Sequence, residues 1–480
     1  MGKDYIIALD LGTTGNRALL FNTDLELQNS AYLEFKNEYP KPGWVEQDPL
    51  EIWSTTEQVL QTILKDIDPN RISGIGITNQ RETTLLWDSE TGSPFYKAIV
   101  WQCRRTQDLC ESLAPHHNSI KEKTGLPCDP YFSATKIQWI LNHVPEAKTA
   151  AQNGRLRFGT VDTWILWQLT QGKTHQTDHS NASRTLLYNL HTRDYDEELL
   201  SLFDIPRSCL PEISDSNSHF GDYTVNEIKI PIMGILGDQQ AALFGQCGWE
   251  ASVCKATYGT GLFMMQGSEQ SIISNKTMVS TVAWSLDGTN SYAIEGSGFT
   301  AGSAIQWCRD QLGLIKNASE TESLARSVKD NGGVYFIPAL SGLGAPYWQA
   351  NARGSFVGLS QSSTKAHLIR AVLESIAYYT KLLSERMSNT ALSCLRVDGG
   401  MVKNHFFTQF LADTLAVPIE VPKVTETTAF GIAALVAFSN KTLSLDTINS
   451  KRGVAQQFTP QNKNENDYEH WKDHLQKTLQ

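Results

Sequence analysis

Short apolar runs closed by turn-forming residues alternate along the chain with longer stretches whose apolar residues recur at helical spacing. Tyr5-Ile-Ile-Ala-Leu-Asp10 and Arg17-Ala-Leu-Leu-Phe21 are β-prone runs joined by Leu11-Gly-Thr-Thr-Gly-Asn16, and a third run follows the turn at Asn22-Thr-Asp24, which predicts an antiparallel meander. Asp48-Pro49-Leu-Glu51 then supplies an N-cap, a proline at the first helical position and a first-turn acid. Trp53, Leu60 and Leu64 continue at helical spacing, so a helix follows the meander. Next comes Ile72-Ser-Gly-Ile-Gly-Ile-Thr78, a strand of small residues suited to packing between other elements, which ends in Asn79-Gln-Arg-Glu82. Strands alternating with long helices predict an α/β protein.

The same programme restarts after Glu250. Val253-Cys-Lys-Ala-Thr-Tyr258 leads through Gly259-Thr260-Gly261 into Leu262-Phe-Met-Met265, with strands predicted at Thr281–Leu286 and Ser291–Ile294. A helical pattern from Ala366 to Met387 precedes Leu395-Arg-Val-Asp-Gly-Gly400, as the first half's helix precedes Ile72–Thr78. This self-similarity predicts two related domains, residues 1–248 and 249–480, joined by a hinge near residues 240–255. The tail after Gln461 is polar and predicts a peripheral helix around Tyr468–Leu479 or a frayed end.

Composition narrows the class. At 480 residues, with 40% hydrophobic and 19% charged positions, the chain can bury a sizeable core and exceeds a single small module. A formal charge of −10 lacks the footprint of a phosphate-backbone binder, so no nucleic-acid partner is expected. The first ten residues fit neither a secretory signal nor a transit peptide, and Ile6 stands where a myristoylation signal needs Ser or Thr. The most apolar stretch, Ala429–Phe438, is far below the ~20 residues that span a bilayer. A soluble, cytoplasmic protein without membrane insertion is expected. The eight cysteines form no Cys-x-x-Cys pair or zinc spacing and read as free thiols, with Cys103 and Cys110 able to share a helical face.

Neither a P-loop nor a complete dinucleotide fingerprint occurs, since Ala301 stands where the third glycine after Gly296 and Gly298 is needed. The Gly12–Gly15 turn is the better phosphate candidate: it points several backbone N–H groups one way, and Thr13 and Thr14 add hydroxyls. Alone it is an ordinary hairpin turn. The similar turn at Gly259–Gly261 raises the prospect of two donor-rich hairpins clasping a polyphosphate between domains. Asp10 ends the first strand beside its turn, where a hard oxygen ligand could hold Mg²⁺ through water, or simply initiate the turn. Ile230-Pro-Ile-Met-Gly-Ile-Leu236 reads as a buried strand with Asp238 just past its carboxyl end, the position of ligand chemistry in open α/β sheets and also of a common helix cap. Arg81-Glu82 is either a surface ion pair or a grip for vicinal hydroxyls, Glu accepting and Arg donating. Trp101, Tyr131 and Phe132 are either core or the wall of a pocket for a small polyol.

Eight segments carry a family resemblance. Asp10-Leu-Gly-Thr-Thr14, Tyr39–Glu46, Gly76–Thr84, Ile99–Arg105, Gly237–Gly245, Tyr258–Gly261, Gly342–Trp348 and Arg396–Gly400, in order over nearly the whole chain, closely resemble the glycerol kinase branch of the carbohydrate kinases. The resemblance implies two ribonuclease-H-like, actin-like ATPase domains around an interdomain cleft where ATP and glycerol meet. It implies transfer of the γ-phosphoryl of ATP to glycerol, giving sn-glycerol 3-phosphate, with Mg²⁺ and in-line geometry. By position Arg81, Glu82, Trp101, Tyr131, Asp238, Gln239 and Phe263 match the glycerol site, with Asp238 as general base. Thr13, Thr14, Gly15, Arg17, Thr260, Gly302, Gln306, Gly400 and Asn404 match the nucleotide site, and Asp10 the acid associated with Mg²⁺. Family members are often dimers or tetramers, so a homo-oligomer is implied.

Three departures stand out. Gly15-Asn16 occupies the place of two serines common in the family, removing two hydroxyl donors. The short Val225-Asn-Glu-Ile-Lys229 lacks the arginine through which some bacterial members bind fructose bisphosphate. Gln349 replaces a frequent acid after Tyr347-Trp348. The rival readings are a kinase for another polyol or a pentulose, and a non-catalytic ATPase of the same hinged architecture.

Overall fold

The computed structural model describes residues 2–250, 253–268, 272, 275, 277–349, 351–387, 392–462 and 465–479. Part of the expected hinge, residues 251 and 252, lies outside the described residues.

The predicted meander forms as Tyr5–Leu11, Gly15–Asn22 and Leu27–Glu34, paired antiparallel. Tyr5–Leu11 then pairs parallel with Ile72–Asn79, which pairs parallel with Ile228–Gly237, and Gly221–Val225 closes the edge antiparallel. In the second half Val253–Tyr258 and Leu262–Ser268 form the hairpin, and Thr289–Gly298 takes the third position. Cys394–Asp398 and Ile419–Pro422 continue on the other side in parallel, and Val454–Phe458 closes the edge antiparallel. Six positions of the two sheets therefore share their order and polarity, as the repeated programme predicts, while Val279–Leu286 adds a seventh strand to the second sheet, antiparallel at the edge beside Thr289–Gly298. Thr289–Gly298 runs past its expected end at Ile294 and carries Glu295 into the sheet interior.

Local chemistry explains the helices. Asp48 accepts from Leu50 N–H at 2.9 Å with Pro49 at the first position, and the helix Pro49–Leu64 buries Ile52, Val59, Leu60 and Ile63 on one face. The helix Lys365–Met387 matches its predicted span, and the tail folds as an ordered helix, Glu465–Thr478, with Trp471 fully buried. Cys103 and Cys110 do not share a helical face. Cys103 precedes the short helix Gln107–Ser112 that carries Cys110, because Val100–Cys103 turns before the helix begins. All eight cysteines are free thiols.

The two halves interlock. The apolar stretch Ala429–Phe438 lies in the helix Thr427–Ser439, buried between the helix Asp238–Gly245 and the first sheet, which is why no polar face is needed. Gly76 lets this helix approach: a Cβ there would come within 2.7 Å of Ile432 and 2.8 Å of Val436. Among the described residues no helix is long and apolar enough to cross a membrane.

Candidate active site

Two hairpins face the cleft. In the first, Gly12 N–H donates to Gly15 O at 3.1 Å, and Gln80 Nε2 donates to Gly12 O at 3.1 Å. Thr13 is held twice, its carbonyl accepting from Gln47 Nε2 at 2.8 Å and its hydroxyl from Trp101 Nε1 at 3.0 Å. The exposed Thr14 carries the tip. Asn16, expected to reduce phosphate donors, is turned inward: its Nδ2 donates at 2.9 Å to Ile52 O, Thr55 Oγ1 and Thr56 Oγ1. It anchors the hairpin to the following helix. Gly15 has a steric reason, since a Cβ there would lie 2.5 Å from Leu33 O and 2.7 Å from the Tyr32 ring. Tyr32 in turn lies under the Arg17 guanidinium, 4.9 Å from ring centroid to Cζ. Arg17 also pairs with Glu426 of the second half, across the cleft.

In the second hairpin Gly259 N–H donates to Gly261 O at 3.0 Å, and Thr260 O accepts from Ala301 and Ser303. Behind it lies a cavity of about 560 Å³ lined by Thr260, Gly302, Gln306, Gly400 and Asn404 together with the apolar Ile305, Leu373 and Met401. Five residues predicted for the nucleotide are thus together. Thr13, Thr14, Gly15 and Arg17 belong to the other hairpin and do not line this cavity. The Asn404 amide is engaged structurally, capping the helix His405–Leu415 through Phe407 N–H and donating to Thr321 Oγ1.

A second cavity of about 400 Å³ adjoins the first at Thr260, which lines both. Its walls include Trp101, Tyr131, Phe263 and Trp348, with the Arg104–Asp129 ion pair at its rim. Trp101 meets Tyr131 and Phe263 edge-on at 5.6 and 6.1 Å, so the aromatic residues predicted for the acceptor site converge from both halves.

Arg81, Glu82 and Asp238 form a buried charged cluster instead of a surface pair. Arg81 Nε lies 3.2 Å from Asp238 Oδ1 and 3.8 Å from Glu82 Oε1. Glu82 has φ +62°, a conformation non-glycine residues seldom adopt, and its carbonyl is held by Ser133 Oγ at 3.2 Å and Lys136 Nζ at 3.1 Å. Burial raises the Asp238 carboxyl above its ordinary value, opposed by Arg81, by the Gln239 N–H at 2.7 Å and by Lys255. Gln239 Oε1 accepts a short hydrogen bond from Lys255 Nζ of the second half.

Asp10 pairs in register with Arg17 and is half-buried. Burial pushes its carboxyl up to about 7; Arg17 opposes this, while Asp238 and Glu426 act in the same direction as burial. Asp10, whose proton affinity two neighbouring carboxylates help to raise, sits in a donor set that a hard divalent cation would relieve. Among the described residues no three metal-ligating side chains converge into a cage, so these residues fit a cation held largely through water and phosphate oxygens.

Four residues of this centre escaped the sequence reading. Glu295, fully buried, takes Arg81 Nη1 at 2.6 Å and Arg184 Nη2 at 3.2 Å, and Arg184 Nε reaches Glu82 Oε1 at 2.6 Å. Lys255 and Lys136 are equally buried. The available signal was a lone charge inside an apolar run, as in Tyr292-Ala-Ile-Glu295 and Val253-Cys-Lys255.

The FGGY family of carbohydrate kinases matches in both parts, its N-terminal domain over residues 5–245 and its C-terminal domain over residues 254–439. The chain is 49% identical over 446 residues to glycerol kinase 2 of Thermotoga maritima, covering 91% of this chain and 90% of that protein. It is 47% identical over 483 residues to the glycerol kinase of a Geobacillus species, covering 98% and 97%. The crystal structure of Plasmodium falciparum glycerol kinase with ADP superposes with a TM-score of 0.92 at 34% identity, covering 100% of this chain and 99% of that one. A ligand-bound xylulose kinase from Lactobacillus acidophilus, 22% identical over 99% of this chain and 97% of its own, shares the fold with a TM-score of 0.88. The architecture is therefore the two-domain, actin-like α/β fold of these kinases.

Proposed function

That the chain belongs to the FGGY family of carbohydrate kinases is the premise from which we propose that it transfers the γ-phosphoryl group of ATP to glycerol, giving sn-glycerol 3-phosphate. The observation that carries the reading is the meeting of two cavities at Thr260, one lined like a nucleoside pocket and one walled by Trp101, Tyr131 and Phe263. A phosphate chain running over Thr260 would enter between the two hairpins.

In this reading Arg81 donates to glycerol hydroxyls and Glu82 accepts from them, while the aromatic walls cover the carbon face. Gln239 borders the acceptor. Asp238 takes the proton of the attacking hydroxyl as its oxygen bonds to the γ-phosphorus, and the bond to the ADP oxygen breaks on the opposite side. Thr13, Thr14, Gly15 and Arg17 cradle the phosphates, and Gly302, Gln306, Gly400 and Asn404 border the nucleoside. Asp10 is the residue that would hold Mg²⁺ through water, and the ion would supply charge neutralisation for the transferred group. Alignment of the two substrates contributes as much as ~7–11 kcal/mol to barrier lowering in favourable cases, and proton acceptance typically ~10²–10⁴-fold. The reading carries a cytoplasmic location, where ATP is supplied, a homo-oligomer, and a domain division between residues 248 and 249.

ADP formation measured with glycerol and with a panel of other polyols and pentuloses tests it. Stimulation by glycerol above all others is expected; ADP release indifferent to every acceptor overturns it.

A further inference from the structure

We propose that Glu295, on a strand of the second half, is the positioning residue for Arg81, so that the acceptor grip of one domain is held in shape by a carboxylate from the other. The inference rests on the reading of Arg81 as a glycerol-binding residue.

Thr289–Gly298 is otherwise built of small, polar-neutral and apolar residues, and Glu295 sits opposite Met265 on one neighbouring strand and Val279 on the other. A carboxylate in such a place costs several kcal/mol unless it is paired and hydrogen-bonded. Glu295 is fully buried and meets this condition with two arginines from the first half. Arg81 directs both terminal nitrogens at it, Nη1 to Oε2 at 2.6 Å and Nη2 to Oε1 at 3.2 Å. Such a two-point contact fixes the plane of a guanidinium as well as its position. With that edge taken, the Nε of the same guanidinium is the one left 3.2 Å from Asp238.

Glu295 reaches Glu82 as well. Its Oε1 accepts from Arg184 Nη2 at 3.2 Å, and Arg184 Nε donates to Glu82 Oε1 at 2.6 Å. Arg81, Glu82 and Asp238, all on the first half, are thus tied by one or two contacts to a single residue of the opposite sheet. Burial pushes the Glu295 carboxyl up, but Arg184 and Arg81 outweigh it and hold it down at about 2, which favours the charged form that both arginines bind. A shift of the second domain moves this carboxylate, and the orientation of Arg81 moves with it. Glycerol affinity is thereby coupled to the closure of the cleft.

Steady-state kinetics of Glu295→Gln tests this. The amide keeps the shape but loses the charge. The expected result is a glycerol KM raised about ten- to a hundredfold, the scale of one hydrogen bond to a charged group, with the ATP KM within about twofold of the parent. In Arg81→Lys, which already lacks the two-point contact, adding Glu295→Gln should change the glycerol KM little further. If Glu295→Gln does not fold, Glu295→Asp, one methylene shorter, should show the same split. An unchanged glycerol KM in a parent that uses glycerol overturns this inference alone, as does an ATP KM that rises in step with that of glycerol, the sign of a merely structural role. A parent without glycerol-dependent turnover overturns the functional reading and this inference with it.

Discussion

The Nε of Arg81 stands 3.2 Å from Oδ1 of Asp238, at the inner end of the cleft between the two halves. The contact places a fixed positive charge beside a carboxylate whose burial raises its proton affinity. Burial raises the proton affinity of Asp238, while Arg81 and Lys255 oppose the rise, a balance that suits the proposed role of proton acceptor.

Asp238→Asn removes the charge and keeps the size. Turnover with glycerol should fall ~10²–10⁴-fold, the usual scale of general-base help, while the thermal midpoint stays near that of the parent, because Asp238 is the partly exposed member of the cluster at 32%. Rapid-quench measurement of ADP formation checks this. A variant retaining near-parental turnover would take Asp238 out of the mechanism.

Arg81→Ala should weaken glycerol capture and also destabilise the protein. It strips the fully buried Glu295 of its closest partner at 2.6 Å, and removing one partner of a buried pair costs about 3–5 kcal/mol. Glycerol titration and urea unfolding should both move. Loss of stability with unaltered glycerol affinity would reduce Arg81 to a structural role.

Gly15→Ser restores one of the hydroxyls common in related kinases, yet it should be harmful here. The added Cβ falls 2.5 Å from Leu33 O and 2.7 Å from the Tyr32 ring, and relief requires the edge strand to shift. A loss of about 1–3 kcal/mol is expected from overpacking, together with a higher ATP KM as Tyr32 and Arg17 are displaced. Gly15→Ser combined with Tyr32→Ala should recover part of both, since the ring clash is removed while the Leu33 carbonyl remains.

What could be read from the sequence was whatever local backbone chemistry encodes. The glycine-threonine turns, the strand-terminal Asp10 and Asp238, and the Asp48-Pro49 helix start all announce themselves within a few residues, and the repeated order of strands follows from them. Glu295 could not be read this way, because its meaning comes from Arg81, 214 positions away. The same holds for Arg17, whose partner Glu426 is 409 positions distant. Asn16 was legible only as a missing hydroxyl. Which way its amide turns depends on Ile52, Thr55 and Thr56 on a helix that packs behind the hairpin.

His175 gives the stability a pH dependence separate from catalysis. Its ring packs edge-on against Trp87 at 5.5 Å and Trp167 at 6.1 Å, and its Nε2–H donates to Phe158 O at 2.8 Å. Burial lowers its pKa to about 4, with the Phe158 carbonyl opposing and Arg157 assisting. The folded form therefore resists a proton that the unfolded chain accepts near 6.5, and the stability present above about pH 6.5 is lost as pH falls toward 4. At about 1.4 kcal/mol per pH unit the contribution is at most about 3.5 kcal/mol. His175→Gln retains a donor for Phe158 and does not titrate. Urea unfolding at pH 7.5 and 4.5 should show a smaller acid loss in this variant than in the parent, and equal losses would mean that His175 is protonated in the folded state without penalty.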